Sequence, residues 1–201
     1  MTQRERFPSL GVETAPTAAR PWLRASAQQF GFVPAPVARG AGSPELLGHV
    51  LSGLRAFERT SLSELEREVV ALSVAHDQGC AYCMALHSAL LSRSPEHAAL
   101  LAALRSGTPL GDPRLEALRS FSREVLLQRG RVQEATWQRF EAAGFLPAQG
   151  LEVVLGVGAY VLSTLLNLVV EAPLDPAFAA FAWSPGSGPP APAEGCPASD
   201  S

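Results

Sequence analysis

A segment of twenty residues holds four side chains whose types and spacing could do chemistry together: Glu68, Cys80, Cys83 and His87. On an α-helix, offsets of three and four residues place Cys80, Cys83 and His87 on one face, within about 60° of one another. Two thiols one turn apart can close a disulfide with little backbone movement. An imidazole one turn further on can accept a thiol proton or hold a thiolate. This spacing predicts a redox-active dithiol.

Gly79 gives the two cysteines a favourable position as well as a favourable spacing. A glycine here is expected to end the preceding helix, so that Cys80 and Cys83 lie in the first turn of the next one. Unpaired N–H groups and the helix macrodipole favour negative charge in a first turn. A Cys-x-x-Cys in this setting has a lowered thiol pKa, and its thiolate can attack a peroxide oxygen or a disulfide sulfur.

Glu68 falls on the apolar stripe of its own helix, three residues after Leu65 and four before Leu72. Its neighbours Glu66 and Arg67 are expected to point away from that stripe. An unpaired buried carboxylate costs on the order of several kcal/mol, so Glu68 requires a partner. Facing a thiol or an imidazole, it would have a raised pKa and could transfer protons.

Each of these residues also has a structural interpretation. The two thiols could be buried and inert, His87 could be a core histidine, and Glu68 could pair with an Arg from another helix. A zinc site made of all four is a further alternative. It is disfavoured because structural zinc sites usually draw their second ligand pair from a distinct knuckle and seldom use an acid. Their joint occurrence favours a redox dithiol that uses no metal and no cofactor.

The elements that position these residues are expected to be helical, which predicts an all-α fold. Ser63 with Glu66 forms a capping-box pair, and Ser61 with Glu64 forms a competing one. Prolines break the first forty residues, and no window of alternating β-branched residues indicates a strand. The predicted helices lie at about 22–30, 43–58, 63–77, 80–92, 94–105, 133–142 and 147–170, with another that opens at 112–113.

Composition excludes several classes of function. The net charge is −3, which provides no electrostatic footprint for nucleic acid. All sixteen basic residues are Arg, so lysine Schiff-base chemistry is excluded. Residues 151–170 are apolar enough to suggest a membrane span, but they include polar residues and lack basic flanks, which favours a buried or oligomer-packed helix. With no signal-like N-terminus, a cytoplasmic protein without a membrane partner is expected.

The array Glu68-x11-Cys80-x2-Cys83-x3-His87 resembles the signature of the carboxymuconolactone decarboxylase superfamily, in its alkylhydroperoxidase AhpD-like branch of peroxidase-related proteins. The segment 31–34 resembles the entry region of these proteins, and residues 151–170, with Asn167, resemble their second long helix. The resemblance covers about residues 20–183. It implies an AhpD-like helical domain at 21–183, assembled as a trimer or hexamer, between an N-terminal extension at 1–20 and a disordered Pro/Gly-rich tail at 184–201.

The resemblance also implies roles for the four residues. Cys83 would be the peroxidatic thiol that becomes a sulfenic acid, and Cys80 would donate a proton and then close the disulfide. Glu68 would feed a proton relay, and His87 would support the Cys83 thiolate. Tyr82 stands where the best-studied branch has histidine. Because an unperturbed tyrosine titrates near about 10, it is a poorer relay at neutral pH.

Other polar residues near this array are weaker candidates. His76 lies near the Glu68 face and could compensate for Tyr82, although a role at the helix end fits it better. Four polar residues lie close together on the 151–170 helix, where helix–helix contacts explain them better than a site does: Tyr160, Ser163, Thr164 and Asn167. Cys196 in the tail is expected to be incidental.

These observations predict a thiol-dependent peroxidase that reduces hydroperoxides through a Cys80/Cys83 dithiol–disulfide cycle. The resemblance implies an external dithiol reductant of the lipoyl or thioredoxin-like type. A redox-sensing or interaction protein that uses the same pair without turnover is one alternative. A decarboxylase-like enzyme is another, disfavoured because that branch generally lacks the cysteine pair.

Overall fold

A computed structural model describes residues 6–186, and over this range the chain is all-α. Nine α-helices lie wholly within the described residues: α1 (Arg20–Phe30), α2 (Ala35–Gly40), α3 (Pro44–Glu58), α4 (Glu64–Asp77), α5 (Ala81–Leu91), α6 (Ala98–Ser106), α7 (Pro113–Leu127), α8 (Glu134–Ala142) and α9 (Pro147–Val169). Short 3-10 helices lie at Thr17–Ala19, Pro95–His97 and Pro176–Phe181. The described part contains no strand, as predicted. Cys196 and nearly all of the predicted tail lie outside the described residues.

The start of α4 follows the capping box predicted for Ser63. The Ser63 hydroxyl accepts the N–H of Glu66, and the Glu66 carboxylate accepts the N–H of Ser63. The competing start is wrong, because the N–H and hydroxyl of Ser61 both donate to Glu152 on α9. The outward orientation expected for Glu66 is also wrong. Its residue is only 7% exposed, because the carboxylate closes the capping box and pairs with Arg114 at 2.9 Å.

Helix α4 forms the centre of the fold. Every residue from 69 to 75 is buried, and the helix packs against α5, α7 and α9. A helix that is apolar on all sides in this way is expected in a core. The turn after it is short and brings the start of α5 directly beside its end. The central helix therefore carries Glu68 on its first half and leads into the two cysteines.

Helix α9 packs closely against α3. A Cβ at Gly156 would lie 2.5 Å from the ring of Phe57, so only glycine allows this approach. The opposite face of α9 remains exposed and includes Leu151, Leu165 and Val169. By length and composition alone this helix could cross a membrane, and the core helices of many soluble proteins share both properties. The helix is therefore buried on one face, and the alternative of an oligomer-packed helix stays a prediction for the other.

Two further segments close the sides of the site. Helix α2 was not predicted, because Pro34 and Pro36 were interpreted as breakers, whereas they serve as its N-cap and a first-turn residue. The segment after α9 crosses α5, where Phe178 packs edge-on against Tyr82. Arg105 holds this segment by donating to the carbonyls of Phe181 and Ala182.

Candidate active site

The turn between α4 and α5 positions the two cysteines. Gly79 adopts φ +65°, a left-handed conformation that favours glycine. Cys80 follows as the N-cap of α5, with its Sγ accepting the N–H of Cys83 at 3.4 Å. Cys83 therefore lies in the first turn. Both cysteines are free thiols and are buried, with 1% of Cys80 and 5% of Cys83 exposed.

Asn167 of α9 lies against both sulfurs. Its Nδ2 is 3.0 Å from the Sγ of Cys83 and 3.7 Å from the Sγ of Cys80. The residue is only 6% exposed, so water competes little for these hydrogen bonds. A helix distant in sequence thus supplies a hydrogen-bond donor to the dithiol.

The two thiols differ in acidity because they share one proton. The hydrogen bond from Cys83 is the main cause that lowers the pKa of Cys80 to about 6. The backbone N–H of Cys83 and the Asn167 amide lower it further, whereas burial acts in the opposite direction. The pKa of Cys83 is raised well above its usual value, first by its hydrogen bond to Cys80 and then by burial. The directions of these two pKa shifts favour negative charge on Cys80 in the free protein.

Glu68 and His87 form a hydrogen-bonded pair beside the dithiol. The Nδ1 of His87 lies 2.9 Å from the Oε2 of Glu68, and both side chains are largely buried. The ring of Tyr160 packs edge-on against His87 with a centroid separation of 5.1 Å. The Arg partner considered for Glu68 is replaced by this imidazole. In the described residues the hydrogen bond of His87 goes to Glu68 rather than to a sulfur.

A cavity of about 490 Å³ joins these groups. Cys83, Glu68 and His87 contribute to its wall, whereas Cys80 does not, so Cys83 is the sulfur that a bound molecule can reach. The remaining wall comes from α1 to α5 and α9, and more than half of its residues are apolar, among them Phe30, Leu54 and Leu90. Charged side chains also line it: Arg55, Glu58, Glu64 and Arg67. A cavity of this size fits a ligand much larger than water.

Tyr82 lies between the two cysteines in sequence, but its hydroxyl has a fixed partner. It donates to the Oδ2 of Asp175 at 2.6 Å, and the same oxygen accepts the N–H of Ala35. Burial raises the pKa of Tyr82 far above its usual range, and the hydrogen bond to Asp175 raises it further. Tyr82 therefore keeps its proton at neutral pH and joins α5 to the segment after α9.

His76 lies at the other end of α4 and is not brought to the cavity. Its ring packs against Trp183 at a centroid separation of 5.8 Å. Its Nδ1 lies 3.3 Å from the carboxylate of the adjacent Asp77. The surroundings are tight, since a Cβ at Gly107 would lie 2.5 Å from the imidazole. This placement agrees with a role at the helix end.

Sequence reasoning ranked a contribution of α9 to the site behind helix–helix contacts. Tyr160, Ser163 and Asn167 line the cavity opposite Cys83, at offsets of three and four residues. Thr164 differs, because its hydroxyl bonds to the carbonyl of Val161 in its own helix. The available signal was a row of polar residues on a strongly apolar helix.

Within residues 6–186, no three His, Cys, Asp or Glu side chains form a group that could hold a metal ion.

The fold and the site define an all-α protein with a buried dithiol at a helix start, facing a cavity, and the comparisons agree with this class. The pattern of the Carboxymuconolactone decarboxylase family matches residues 44–124, which span α3 to most of α7. Over these residues the chain therefore resembles this family, in agreement with the resemblance noted from the sequence. A search of curated proteins found no match to the sequence.

Two solved structures share the fold. The alkylhydroperoxidase AhpD core of an uncharacterized peroxidase-related protein from Ralstonia eutropha JMP134 is 19% identical, with a TM-score of 0.76, covering 86% of this chain and 93% of that one. An uncharacterized peroxidase-related protein from Silicibacter sp. TM1040 is 20% identical, with a TM-score of 0.68, covering 81% of this chain and 87% of that one. At this identity the likeness establishes the fold.

Proposed function

We propose that this protein is a thiol-dependent peroxidase that reduces organic hydroperoxides through Cys83 and Cys80. One observation carries the proposal: Cys83 forms part of the wall of the cavity, while Cys80 lies behind it as the N-cap of α5 and exchanges a hydrogen bond with it. A dithiol of this kind separates the sulfur that meets the substrate from the sulfur that completes the cycle. The AhpD-like fold and the names of its structural neighbours add support.

The proposed reaction begins with transfer of the shared proton from Cys83 to Cys80. The Cys83 thiolate attacks the terminal peroxide oxygen, so that an S–O bond forms, the O–O bond breaks and an alcohol leaves after gaining a proton. The sulfur is oxidised by two electrons to a sulfenic acid. Cys80 then attacks the sulfur of Cys83, which forms the disulfide and releases water. An external dithiol of the lipoyl or thioredoxin-like type supplies two electrons to reduce the disulfide.

The Glu68–His87 pair serves as the proton source for the leaving alkoxide. Both side chains line the cavity beside Cys83, and the 2.9 Å hydrogen bond fixes the orientation of the imidazole. An imidazole held in this orientation can give a proton to the alkoxide and be reprotonated from the cavity. Positioned acids of this type contribute roughly 100-fold to 10,000-fold in rate.

The cavity itself argues for an organic hydroperoxide. Its volume of about 490 Å³ exceeds what hydrogen peroxide requires, and the apolar part of its wall suits an apolar substituent of the size of a small ligand. An apolar group that enters such a cavity gains roughly 25 cal/mol for each Å² removed from water. The substrate class is therefore a hydroperoxide with an apolar tail.

The exposed face of α9 supports a homo-oligomer, which we propose to be a trimer or hexamer. The exposed apolar residues on this helix form a stripe: Leu151, Val154, Leu155, Leu165, Leu168 and Val169. The stripe contains no charged residue, so a surface that covers it must be equally apolar. A second copy of the chain offers such a surface. A cytoplasmic location would keep the thiols reduced between cycles.

The decisive experiment measures steady-state consumption of cumene hydroperoxide with dihydrolipoamide as the reductant. The wild type is expected to turn over, and Cys83→Ser is expected to abolish turnover because the attacking sulfur is lost. Cys196→Ser makes the same chemical change at the third cysteine and is expected to retain full activity. Unchanged turnover in Cys83→Ser would contradict the proposal. A reversible Cys80–Cys83 disulfide without turnover would instead indicate a redox sensor.

A further inference from the structure

The side chain of Asn167 places a buried amide directly against the two sulfurs. It is a polar residue on the most apolar long helix, only 6% exposed, and its Nδ2 contacts the two sulfurs at 3.0 and 3.7 Å. An amide nitrogen carries two hydrogens, so it can donate to both sulfurs at once. Nearby Thr164 of the same helix satisfies its hydroxyl within the helix and has no contact of this kind.

The orientation of the carboxamide follows from the charge of the dithiol. Cys83 donates its S–H to Cys80, so neither sulfur has a second hydrogen to give to an amide oxygen. The carbonyl end of Asn167 would repel the thiolate, whereas the N–H end stabilises it. The donor end therefore faces the sulfurs, and its shorter hydrogen bond goes to Cys83.

This geometry divides the hydrogen bonds of the dithiol into two sets. The charge on Cys80 has the backbone N–H of Cys83 as a donor, because Cys80 is the N-cap of α5. A charge on Cys83 has the amide of Asn167 as its closest donor. Only Cys83 contributes to the cavity wall, so the charge must move from Cys80 to Cys83 before a bound molecule can be attacked.

We propose that Asn167 is a catalytic residue that stabilises negative charge on Cys83 and thereby makes Cys83 the attacking sulfur of the pair. When the shared proton moves from the Sγ of Cys83 to the Sγ of Cys80, the charge moves the opposite way. The Asn167 amide then strengthens its 3.0 Å hydrogen bond to the new thiolate. No atom leaves the pair in this step. The inference deepens the proposed function and rests on it for its consequence in turnover.

The test compares two substitutions at Asn167 with a matched control. Asn167→Ala removes the donor, and Asn167→Asp keeps the shape but places a carboxylate against the sulfurs. Thr164→Val is the control, since it removes a buried hydroxyl from the same helix without touching the dithiol. The readouts are the rates of iodoacetamide alkylation at Cys83 and at Cys80 between pH 5 and 9, each quantified by peptide mass spectrometry.

We expect Asn167→Ala to slow alkylation of Cys83 at neutral pH by about tenfold or more, because the thiolate loses a hydrogen bond to its charged sulfur. The ratio of Cys83 to Cys80 modification should fall with it. Asn167→Asp should slow it further and move its pH profile upward, because a neighbouring negative charge disfavours the thiolate. Thr164→Val should leave the ratio unchanged. Because the Asp variant preserves shape, it provides a folded test even if Asn167→Ala is unstable.

An unchanged Cys83 to Cys80 ratio in folded Asn167→Asp would overturn this inference, and so would an equal change in Thr164→Val. The alkylation readout needs no peroxide, so it fails independently of the proposed function. A wild type that does not consume hydroperoxide would overturn the proposed function alone. A single-turnover reaction with cumene hydroperoxide connects the role of Asn167 with the proposed peroxidase activity. Its rate in the Asn167 variants should fall in parallel with their rate of Cys83 alkylation.

Discussion

A histidine lies beside a carboxylate of α4 near each end of this helix, yet the two pairs have different surroundings. Near its start, Glu68 accepts a hydrogen bond from His87 of α5 across 2.9 Å, and both side chains line the cavity of about 490 Å³. At its end, His76 and Asp77 are adjacent residues, separated by 3.3 Å. The space beside them is about 10 Å³, too small for a substrate.

The partners of each pair explain the difference. Asp77 is already engaged by Arg123 at 2.8 Å, and His76 is covered by Trp183. These contacts hold α7 and the C-terminal segment onto α4. Glu68 and His87 instead share the cavity with Cys83. The same residue types therefore produce a structural clamp at one end of the helix and a candidate proton source at the other, because only one end has a cavity and a thiol.

The largest effect is expected from exchanging one histidine for glutamine in each pair. His87→Gln keeps a hydrogen-bond donor near Glu68 but cannot transfer a proton at neutral pH, so kcat/KM for cumene hydroperoxide should fall by about 100-fold. The matched change His76→Gln should leave kcat/KM within about twofold, since no substrate reaches that end. Steady-state kinetics of both variants measure this difference. Equal losses would show that the two ends do not differ in function.

A smaller effect is expected from pH. The pKa of Cys80 is lowered to about 6, so the dithiol carries its negative charge above that pH and loses it as the pH falls below. Moving from pH 7 to pH 5 should therefore reduce single-turnover peroxide reduction by about tenfold. His76→Gln should show the same profile, because the clamp does not contact the dithiol. If the rate instead fell by half at about pH 8.5, the pKa of an ordinary thiol, the lowered pKa of Cys80 would be contradicted.

The smallest effect on activity is expected at Tyr82. Tyr82→Phe removes the hydroxyl that donates to Asp175 but keeps both cysteines and the aromatic ring that this residue contributes to the cavity wall. The free energy of unfolding should fall by about 2 kcal/mol, because the lost hydrogen bond has a charged acceptor. kcat/KM should change by less than about threefold. Urea unfolding measures the change in stability, and steady-state kinetics measure the change in kcat/KM. A loss of activity as large as that of His87→Gln would show that the Tyr82 hydroxyl takes part in the reaction.

The sequence was sufficient to predict the local elements around the site. Ser63, Glu66 and the break at Gly79 specify where α4 begins and where it ends, because caps and left-handed glycines depend on neighbouring residues. The spacing of Cys80, Cys83 and His87 likewise fixes them on one short helix. These features are local, and the expected boundaries differ from the structure by only a few residues.

Features that depend on packing were not predictable in the same way. The burial of Glu66 depends on Arg114, which lies forty-eight positions away in sequence. The contact of Asn167 with the sulfurs depends on how α9 crosses α5, across eighty-four positions. The lowered pKa of Cys80 depends on its N-cap position and on its hydrogen bond with Cys83. Spacing alone contains none of these distances.

The most direct measurement traps the oxidised sulfur. Cys80→Ser and Cys83→Ser variants are each treated with one equivalent of cumene hydroperoxide in the presence of dimedone, which labels sulfenic acids, and the labelled peptide is identified by mass spectrometry. We predict a label on Cys83 in the Cys80→Ser variant and almost none on Cys80 in the Cys83→Ser variant. Label on Cys80 at an equal rate, or no label in either variant, would contradict the account in which Cys83 meets the peroxide and Cys80 completes the cycle.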